Sequence, residues 1–136
     1  MSVAVVEHAL RAALLGSPAI VALVGDRIGP EPLPQKPALP AITYRLVSGV
    51  RWTGRGKPLG LARPRIQIDS WAADYNQVKA LAAAVQGALC PEDGLSGTFA
   101  GVEVDVITPA GERDLYEPDT GLRRVSADFF VSHKES

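Results

Sequence analysis

The segment that most constrains the fold is LARPRIQIDSWAADYNQVKALAAAVQGALC, residues 61–90. Ile66 and Ile68 alternate with polar residues, which is the period-two pattern of a strand with one buried face. Asp74 then supplies a helix N-cap, with Gln77 three residues later as the second half of a capping box. Apolar residues follow on one helical stripe, at Val78, Leu81, Ala82, Val85 and Leu89. The segment therefore predicts a strand and the helix that covers it, and we expect this unit to form the centre of the core.

The composition is that of a single globular domain. The 136 residues are 46% apolar and 21% charged, which argues against general disorder. A net charge of -1 gives no reason to expect a nucleic-acid-binding or membrane surface. One cysteine and two histidines are too few for an internal disulfide or a structural zinc site. We therefore expect one soluble domain over residues 1–136, with no membrane segment, metal or cofactor.

Two helical segments and a proline-rich connector are predicted before the first strand. Val6, Leu10 and Leu14 recur at helical spacing, and a second apolar helical segment ends at Gly25. The prolines of residues 29–40 disfavour both helix and central strand, so this stretch is interpreted as an extended connector.

Alternating apolar residues predict three further strands, with inward positions at Ile42, Tyr44 and Leu46, at Val102, Val104 and Val106, and at Val125, Ala127, Phe129 and Val131. The element order is then α-β-β-α-β-β. It predicts an α+β domain with a four-stranded, mainly antiparallel sheet and helices packed on one face. We expect the opposite face, which carries Arg124, Ser126 and Asp128, to be solvated. Residues 109–121 are interpreted as a loop.

The charged residues are unevenly distributed along the chain. Five bases and no acid lie between residues 51 and 65, whereas eight acids and one base lie between residues 92 and 119. A charge run is usually a solvated face. The alternative is a protein whose two ends differ in sign and meet in neighbouring copies.

The basic run contains a glycine-rich loop at residues 50–60, which we compare with phosphate-binding motifs. Where a P-loop requires Lys followed by Ser or Thr, this chain has Arg55 and Gly56. The better interpretation is a long hairpin tip that becomes ordered against a partner, with Trp52 as its anchor. A small enzyme or ligand-binding domain that places Trp52, Arg55 and Lys57 around an anion stays open as the alternative.

No other motif predicts catalysis. Ser96 lacks the frame of a nucleophile elbow, because Gly97 follows it directly. Glu103 and Asp105 project from one side of a strand, but nothing in the sequence desolvates them. We therefore predict a protein that is not an enzyme.

Four segments together resemble a known family. They are ALRAALLGSPAIVALVGDRIGPEP, LPAITYRLVSG, RIQIDSWAADYNQVKALAAAVQGAL and DLYEPDTGLRRVSADFFV. In this order they resemble the successive blocks of the phage tail-completion (DUF3168-type) family, which includes tail terminators of siphovirus-like particles, prophages and gene transfer agents. The resemblance implies an α+β domain that forms a hexameric ring. Such a ring caps the head-proximal end of the tail tube, stops tube polymerisation and joins the tail to the head connector.

The resemblance also implies the partners and the location. The partners are further copies of the chain, the tail tube protein and the head–tail connector protein. DNA passes through the ring without sequence-specific binding, and the protein is made in the bacterial cytoplasm and resides in the virion tail or neck. A ring requires two different patches on each subunit. We expect these to include Trp52, Arg55 and Lys57 on one side and Glu112, Asp114 and Glu117 on the other. A different neck ring, such as a head-closure protein, is the nearest alternative.

Overall fold

The computed structural model describes residues 6–48, 51–54 and 57–134, with the backbone alone for 51–54 and 57–61. Within these residues the helices are α1 (Val6–Leu15), α2 (Pro18–Val24) and α3 (Tyr75–Leu89). The strands are β1 (Ile28–Pro30), β2 (Ala41–Ser48), β3 (Arg51–Gly54), β4 (Lys57–Ala62), β5 (Arg65–Ala72), β6 (Gly97–Phe99), β7 (Val102–Glu117) and β8 (Leu122–Lys134).

One mixed sheet contains all the strands of the described residues. Its centre is the antiparallel series β2-β5-β8-β7, which consists of the four predicted strands. Short strand β1 adds to the edge of β2 in parallel, β6 adds to β7, and the β3–β4 hairpin continues beyond β5 along β8. The α+β class and the mainly antiparallel pairing are confirmed. The predicted number of four strands is wrong, because β1, β3, β4 and β6 also join the sheet.

The predicted strand–helix unit is confirmed in detail. The Asp74 carboxylate accepts a hydrogen bond from the Gln77 backbone N–H at 3.0 Å, as an N-cap does. All five residues of the predicted helical stripe are buried. On the facing sheet, Ile66, Ile68 and Phe129 are each no more than 1% exposed. The core therefore lies between α3 and this face of the sheet, where α1 and α2 also pack.

The amino-terminal elements follow the predicted pattern. Helix α1 ends at Leu15, directly before Gly16, and α2 ends at Val24, directly before Gly25, which adopts φ +60. Apart from Gly29 and Pro30, which end β1, the connector contains neither helix nor strand up to Pro40. Arg27 donates hydrogen bonds from Nε to Pro40 O at 2.9 Å and from Nη2 to Leu23 O at 3.3 Å. One side chain thus ties the end of the connector to the helix layer.

Strand β7 changes face at a β-bulge. The pairing with β8 shifts between Val104 and Val106, so the residues after the shift point to the opposite side. As a result Val106 is 39% exposed and Ile107 is 5% exposed. The prediction of Val106 as an inward residue is wrong for this reason. The prediction of Leu46 as an inward residue is also wrong, because the second half of β2 is exposed and Leu46 is 46% exposed.

Residues 109–121 form a loop only at their end. Strand β7 continues through Glu117 and pairs with β8 as far as Leu122. The chain reverses over residues 118–121, where Gly121 adopts φ +72 and its N–H donates to Glu117 O at 2.8 Å. The predicted loop is therefore wrong up to residue 117. The residues of this segment have a weak propensity for strands. The backbone hydrogen bonds that β8 supplies nevertheless stabilise the strand.

The sheet face opposite the helices is not solvated as predicted. Ser126 is 1% exposed and Asp128 is 6% exposed, and their neighbours Thr43, Gln67 and Asp69 are equally inaccessible. Arg124 is half-buried on the same face. Burial of polar groups is costly unless they are paired, and the next section describes the pairs. Three buried atoms of this face, Arg124 Nε, Ser126 Oγ and Asp128 Oδ1, have no hydrogen-bond partner.

Candidate assembly surfaces

An arginine–carboxylate pair begins the polar arrangement on the helix-free face. Arg65 of β5 and Asp128 of β8 lie on the same side of neighbouring strands. The Arg65 Nε and Nη2 atoms both lie 2.8 Å from Asp128 Oδ2. The Arg65 guanidinium thus covers the Asp128 carboxylate on the outside of the sheet, and the Arg65 side chain is 37% exposed.

A second set of hydrogen bonds crosses three strands. Gln67 Nε2 donates to both oxygens of Asp69, at 3.0 and 3.1 Å, and Gln67 Oε1 accepts from Arg45 Nη2 at 3.0 Å. Arg124 Nη1 donates to Asp69 Oδ2 at 3.3 Å, and its Nη2 lies 3.0 Å from Glu117 Oε1. Strands β2, β5 and β8 are therefore joined by side chains as well as by backbone pairing.

Aromatic rings lie beside three arginines of this face. The Arg63 and Arg65 guanidinium carbons lie 4.3 and 5.5 Å from the Phe130 ring centroid. That of Arg124 lies 5.0 Å from the Trp71 ring, whose Nε1 donates to Thr43 Oγ1 at 2.9 Å. These cation–π contacts help to fix the positions of the arginines on this face. We call Arg45, Arg63, Arg65 and Arg124 the arginine layer.

The basic hairpin predicted as one half of an interface is described only in part. Trp52 lies in β3 and Lys57 in β4, and Arg55 lies outside the described residues. The hairpin joins the sheet where Leu61 and Ala62 pair with Lys134 and His133 of β8.

The three acids predicted as the other half lie on β7, opposite the first part of β8. Asp114 accepts a hydrogen bond from Lys79 Nζ of α3 at 3.0 Å, and this bond raises the pKa of Lys79. Glu112 lies on the same side as Asp114, because residues two apart on a strand share a face. Glu117 lies on the other side and contacts Arg124. The structure thus brings Glu112 and Asp114 together and separates Glu117 from them.

The two charged segments lie at opposite ends of the sheet. The acids pair with β8 between Leu122 and Ala127, and the hairpin pairs at His133 and Lys134. At ~3.3 Å per residue, roughly 20–40 Å of strand separates them. Contact between the two segments therefore requires a second copy of the chain.

A small cleft with exposed aromatic walls lies at the acidic end. Its volume is about 140 Å³, and its lining includes Tyr75, Val78, Asp114, Tyr116 and Arg123. Tyr75 and Tyr116 are 48% and 51% exposed. The Arg123 guanidinium lies 4.5 Å from the Tyr116 ring centroid, and Lys79 Nζ lies 6.0 Å from that of Tyr75. We call this site the tyrosine cleft. This cleft was not predicted from the sequence, although Tyr116 among the acids of residues 112–117 was a visible signal.

The outer surface of α3 carries three small, uncharged residues. Ala80, Ala83 and Gly87 are all exposed, as their positions off the apolar stripe predicted. A Cβ atom added at Gly87 would meet no atom within 4 Å. The space for a second contact surface is therefore present, and its occupant stays a prediction.

The described residues offer little of the geometry that catalysis requires. No group of three or more His, Cys, Asp or Glu side chains among them is arranged to hold a metal ion. Burial raises the pKa of the Cys90 thiol, which disfavours the thiolate that a nucleophile needs. A cavity of about 460 Å³ between the proline-rich connector and β1–β2 has mainly apolar walls that include Ile28, Leu33 and Ala41.

No single helix among the described residues is long and apolar enough to cross a bilayer. Helices α1 and α2 meet that test only when taken together, across a bend of 90°.

Comparisons with known proteins agree with this architecture. A chain in a solved structure entitled "Virion of native gene transfer agent (GTA) particle" superposes with a TM-score of 0.77 at 18% sequence identity. The superposition covers 94% of this chain and 93% of that chain, so the two share their fold over nearly their whole lengths. A search of curated protein sequences finds no match. The sequence profile described as "Tail completion protein gp17" matches residues 8–133. The chain therefore belongs to the tail completion protein gp17 family, a family of structural proteins of the virion tail and neck.

Proposed function

We propose that this protein is a tail terminator, which forms a ring on the head-proximal end of the tail tube. The ring stops tube polymerisation and provides the surface that the head connector binds. The observation that carries the proposal is the family match over residues 8–133. The fold shared with a chain of a gene transfer agent virion supports it.

The distribution of charge suits a ring. A closed ring is built from heterologous contacts, in which one patch of each subunit meets a different patch of the next. In this chain the basic hairpin and the acidic part of β7 lie at opposite ends of β8. Each end is thus available to a different neighbour, as head-to-tail assembly requires.

We assign the two ends to one contact between subunits. In it, Arg55 or Lys57 of one copy lies near Glu112, Asp114 or Glu117 of the next, with Trp52 as an apolar anchor. Opposite potentials steer and align such a contact more than they hold it, and salt weakens them. Six copies would close the ring, which then contacts the tube protein on one side and the connector protein on the other, with DNA passing through the lumen.

Particles that lack this protein should carry overlong tails. Without a terminator the tube has no signal to stop, and heads filled with DNA should accumulate unjoined to tails. Electron microscopy of particles from a strain deleted for the gene measures tail length and the fraction of joined heads.

The same micrographs distinguish the nearest alternative. A head-closure protein acts on the head side, so its loss should leave tails of normal length detached from heads. A normal tail-length distribution in the deleted strain would therefore contradict the terminator role, and restoration by the plasmid-borne gene is the control.

Reversing the hairpin charges should block ring assembly and leave the subunit folded. The variant Arg55→Glu, Lys57→Glu brings acids against the acidic end of the next copy. Like charges in contact cost several kcal/mol, so assembly should weaken by roughly tenfold or more. Native mass spectrometry measures the oligomer, and circular dichroism checks the fold.

Two matched variants sharpen this experiment. Lys36→Glu reverses an exposed cation of the connector and should leave assembly unchanged. Adding Glu112→Lys to the reversed hairpin should partly restore the ring. Glu112 is the preferred site because Asp114 and Glu117 already contact Lys79 and Arg124 within the chain. A normal ring from the Arg55→Glu, Lys57→Glu protein would show that these charges are only a solvated face.

A further inference from the structure

Strand β7 leaves one of its two edges open over most of its length. One edge pairs with β8 from Val104 to Glu117, and the other pairs with β6 only from Val102 to Val104. Beyond that point no strand among the described residues pairs with it. Every residue of Gly111–Glu117 is exposed or half-buried. An open edge presents a row of backbone N–H and C=O groups that can pair with another chain.

The turn from β7 into β8 shows which backbone groups of β7 face the open edge. The Glu117 carbonyl accepts a hydrogen bond from the Gly121 N–H at 2.8 Å, so the backbone of Glu117 faces β8. Backbone groups of successive residues in a strand point to opposite edges, so those of Tyr116 and Asp114 face the open edge. A strand that docks here would therefore bind the backbone of β7 as well as its side chains.

The opposite side of the sheet has a second open edge, which we call the β2–β3 edge. It consists of Leu46–Ser48 of β2 and Arg51–Gly54 of β3. Strand β2 pairs with β1 only up to Tyr44, and within the described part of the chain no strand lies outside these two segments. Leu46 and Val47 are 46% and 41% exposed here, although such residues are typical of paired strands. This edge therefore has apolar surface that a contact would bury.

The strand directions suit a ring in which the sheet continues from one copy into the next. Strands β2, β5, β8 and β7 alternate in direction, so β2 and β7 run opposite ways. Strand β3 runs parallel to β8 and is therefore also opposite to β7. In a ring all copies point the same way along the axis. The β2–β3 edge of one copy then meets β7 of the next in antiparallel orientation, which has the more stable hydrogen-bond pattern.

The charges of the two segments argue against pairing either edge with itself. Residues 45–57 contain four bases and no acid, whereas residues 111–117 contain three acids and one base. Like charges directly opposite each other on two strands are destabilising, which disfavours both two-fold arrangements. Lys79 and Arg124 already contact two of the acids within the subunit. The side-chain charges thus select the partner, and backbone hydrogen bonds and apolar contacts supply the binding.

We propose that the open edge of β7 pairs with the β2–β3 edge of a second copy, so that one antiparallel sheet continues around the ring. The inference rests on the proposed ring, and it specifies how the basic hairpin docks on its neighbour. Because the paired strands run in opposite directions, Ser48 lies towards Glu117 and Gly54 lies towards Gly111. Closing the ring in this way covers both open edges.

Pairs of cysteines test this arrangement directly. Ser48 lies opposite Arg65 on the helix-free face, and residues 113, 115 and 117 of β7 lie on that face too. A disulfide requires Cα atoms within about 7 Å, so it forms between copies only where their strands are in contact. Three variants combine Ser48→Cys with one cysteine of β7, in a chain whose native thiol is removed by Cys90→Ser. The β7 substitutions are Arg113→Cys, Leu115→Cys and Glu117→Cys. For at least one variant we expect oxidised rings to give a ladder of disulfide-linked copies on a non-reducing gel.

The outcomes separate the edge pairing from the ring itself. Lys36→Cys in place of Ser48→Cys is the control and should give no ladder. Rings that form no disulfide between copies in any of the three variants would overturn the edge pairing and leave the ring proposal intact. Covalent dimers from Leu115→Cys without the second cysteine would show β7 paired with itself and would also overturn it. Wild-type protein that forms no ring, either alone or on tail tubes, would overturn both proposals.

Removing one backbone donor provides an independent measurement. Proline is tolerated in a strand where its missing N–H would face an open edge, so Asp114→Pro should leave the subunit folded. It should weaken ring assembly by about tenfold, the effect of one lost hydrogen bond between copies. Asp114→Ala removes the same side chain but keeps the N–H, and it is the matched control. The proposal fails if the two variants assemble equally well while both remain folded by circular dichroism.

Discussion

Leu81→Ala should lower the free energy of unfolding by roughly 2–5 kcal/mol, the cost of deleting a fully buried leucine and leaving a cavity. Leu81 is 0% exposed at the middle of α3, in the same core cluster as Ile66, Ile68 and Phe129. The helix is fixed between its Asp74 cap and the sheet, so it has little freedom to move into the vacated space. Urea unfolding followed by circular dichroism, at a concentration where the wild type is monomeric, measures the change.

A substitution on the opposite side of the same helix is the control. Gln86 is exposed on α3, and Gln86→Ala should change the stability by no more than about 0.5 kcal/mol. If Leu81→Ala cost less than 1 kcal/mol, α3 would not be packed on the sheet as described.

Asp69→Leu should also destabilise the subunit strongly, by about 3 kcal/mol, the lower end of the range for breaking a buried ion pair. The Asp69 side chain is 1% exposed and accepts hydrogen bonds from Gln67 and Arg124. Its loss leaves these donors without their carboxylate. The lower end applies because the Arg124 side chain is 22% exposed and also contacts Glu117.

The double variant Asp69→Leu, Arg124→Met separates the effect of pairing from the effect of packing. Replacing both members of a buried pair by apolar residues is often close to neutral, so the double variant should be more stable than Asp69→Leu alone. Asp105→Asn changes an exposed acid of β7 and serves as the control for charge. The single variant Arg124→Met completes the cycle, and a double-variant effect equal to the sum of the two single effects would mean that Arg124 and Asp69 are not coupled.

The arginine layer also limits how the helix-free face can be used in an assembly. Its guanidinium groups are engaged by Asp128, Asp69, Gln67 and two aromatic rings within one subunit. A face of this kind does not need a partner to bury its charges. The acidic end of β7 and the basic hairpin therefore remain the stronger candidates for contacts between copies.

Local spacing in the sequence was enough to predict the central unit. The apolar stripe of α3, the Asp74 cap and the inward residues of β5 are confirmed because each depends on positions at most four residues apart. The four segments that resemble tail-completion proteins likewise led to the family that the whole-chain match shows. The hexameric ring and its contact residues remain proposals, because a single chain contains no information about its neighbours' positions.

Only the tertiary structure decided which charges are buried and where β7 changes face. Asp69 and Arg124 are 55 residues apart in sequence and meet because β5 and β8 are neighbours in a particular register. Alternation alone places both side chains on the helix-free face, and it does not reveal that arginines lie over the carboxylates. The bulge after Val104 and the extension of β7 to Glu117 arise in the same way, from pairing with β8. The sequence alone thus determined the apolar and polar pattern along each element. The contacts between elements distant in the chain determined which residues are buried, because burial depends on the side chains that cover a residue as well as on its own polarity.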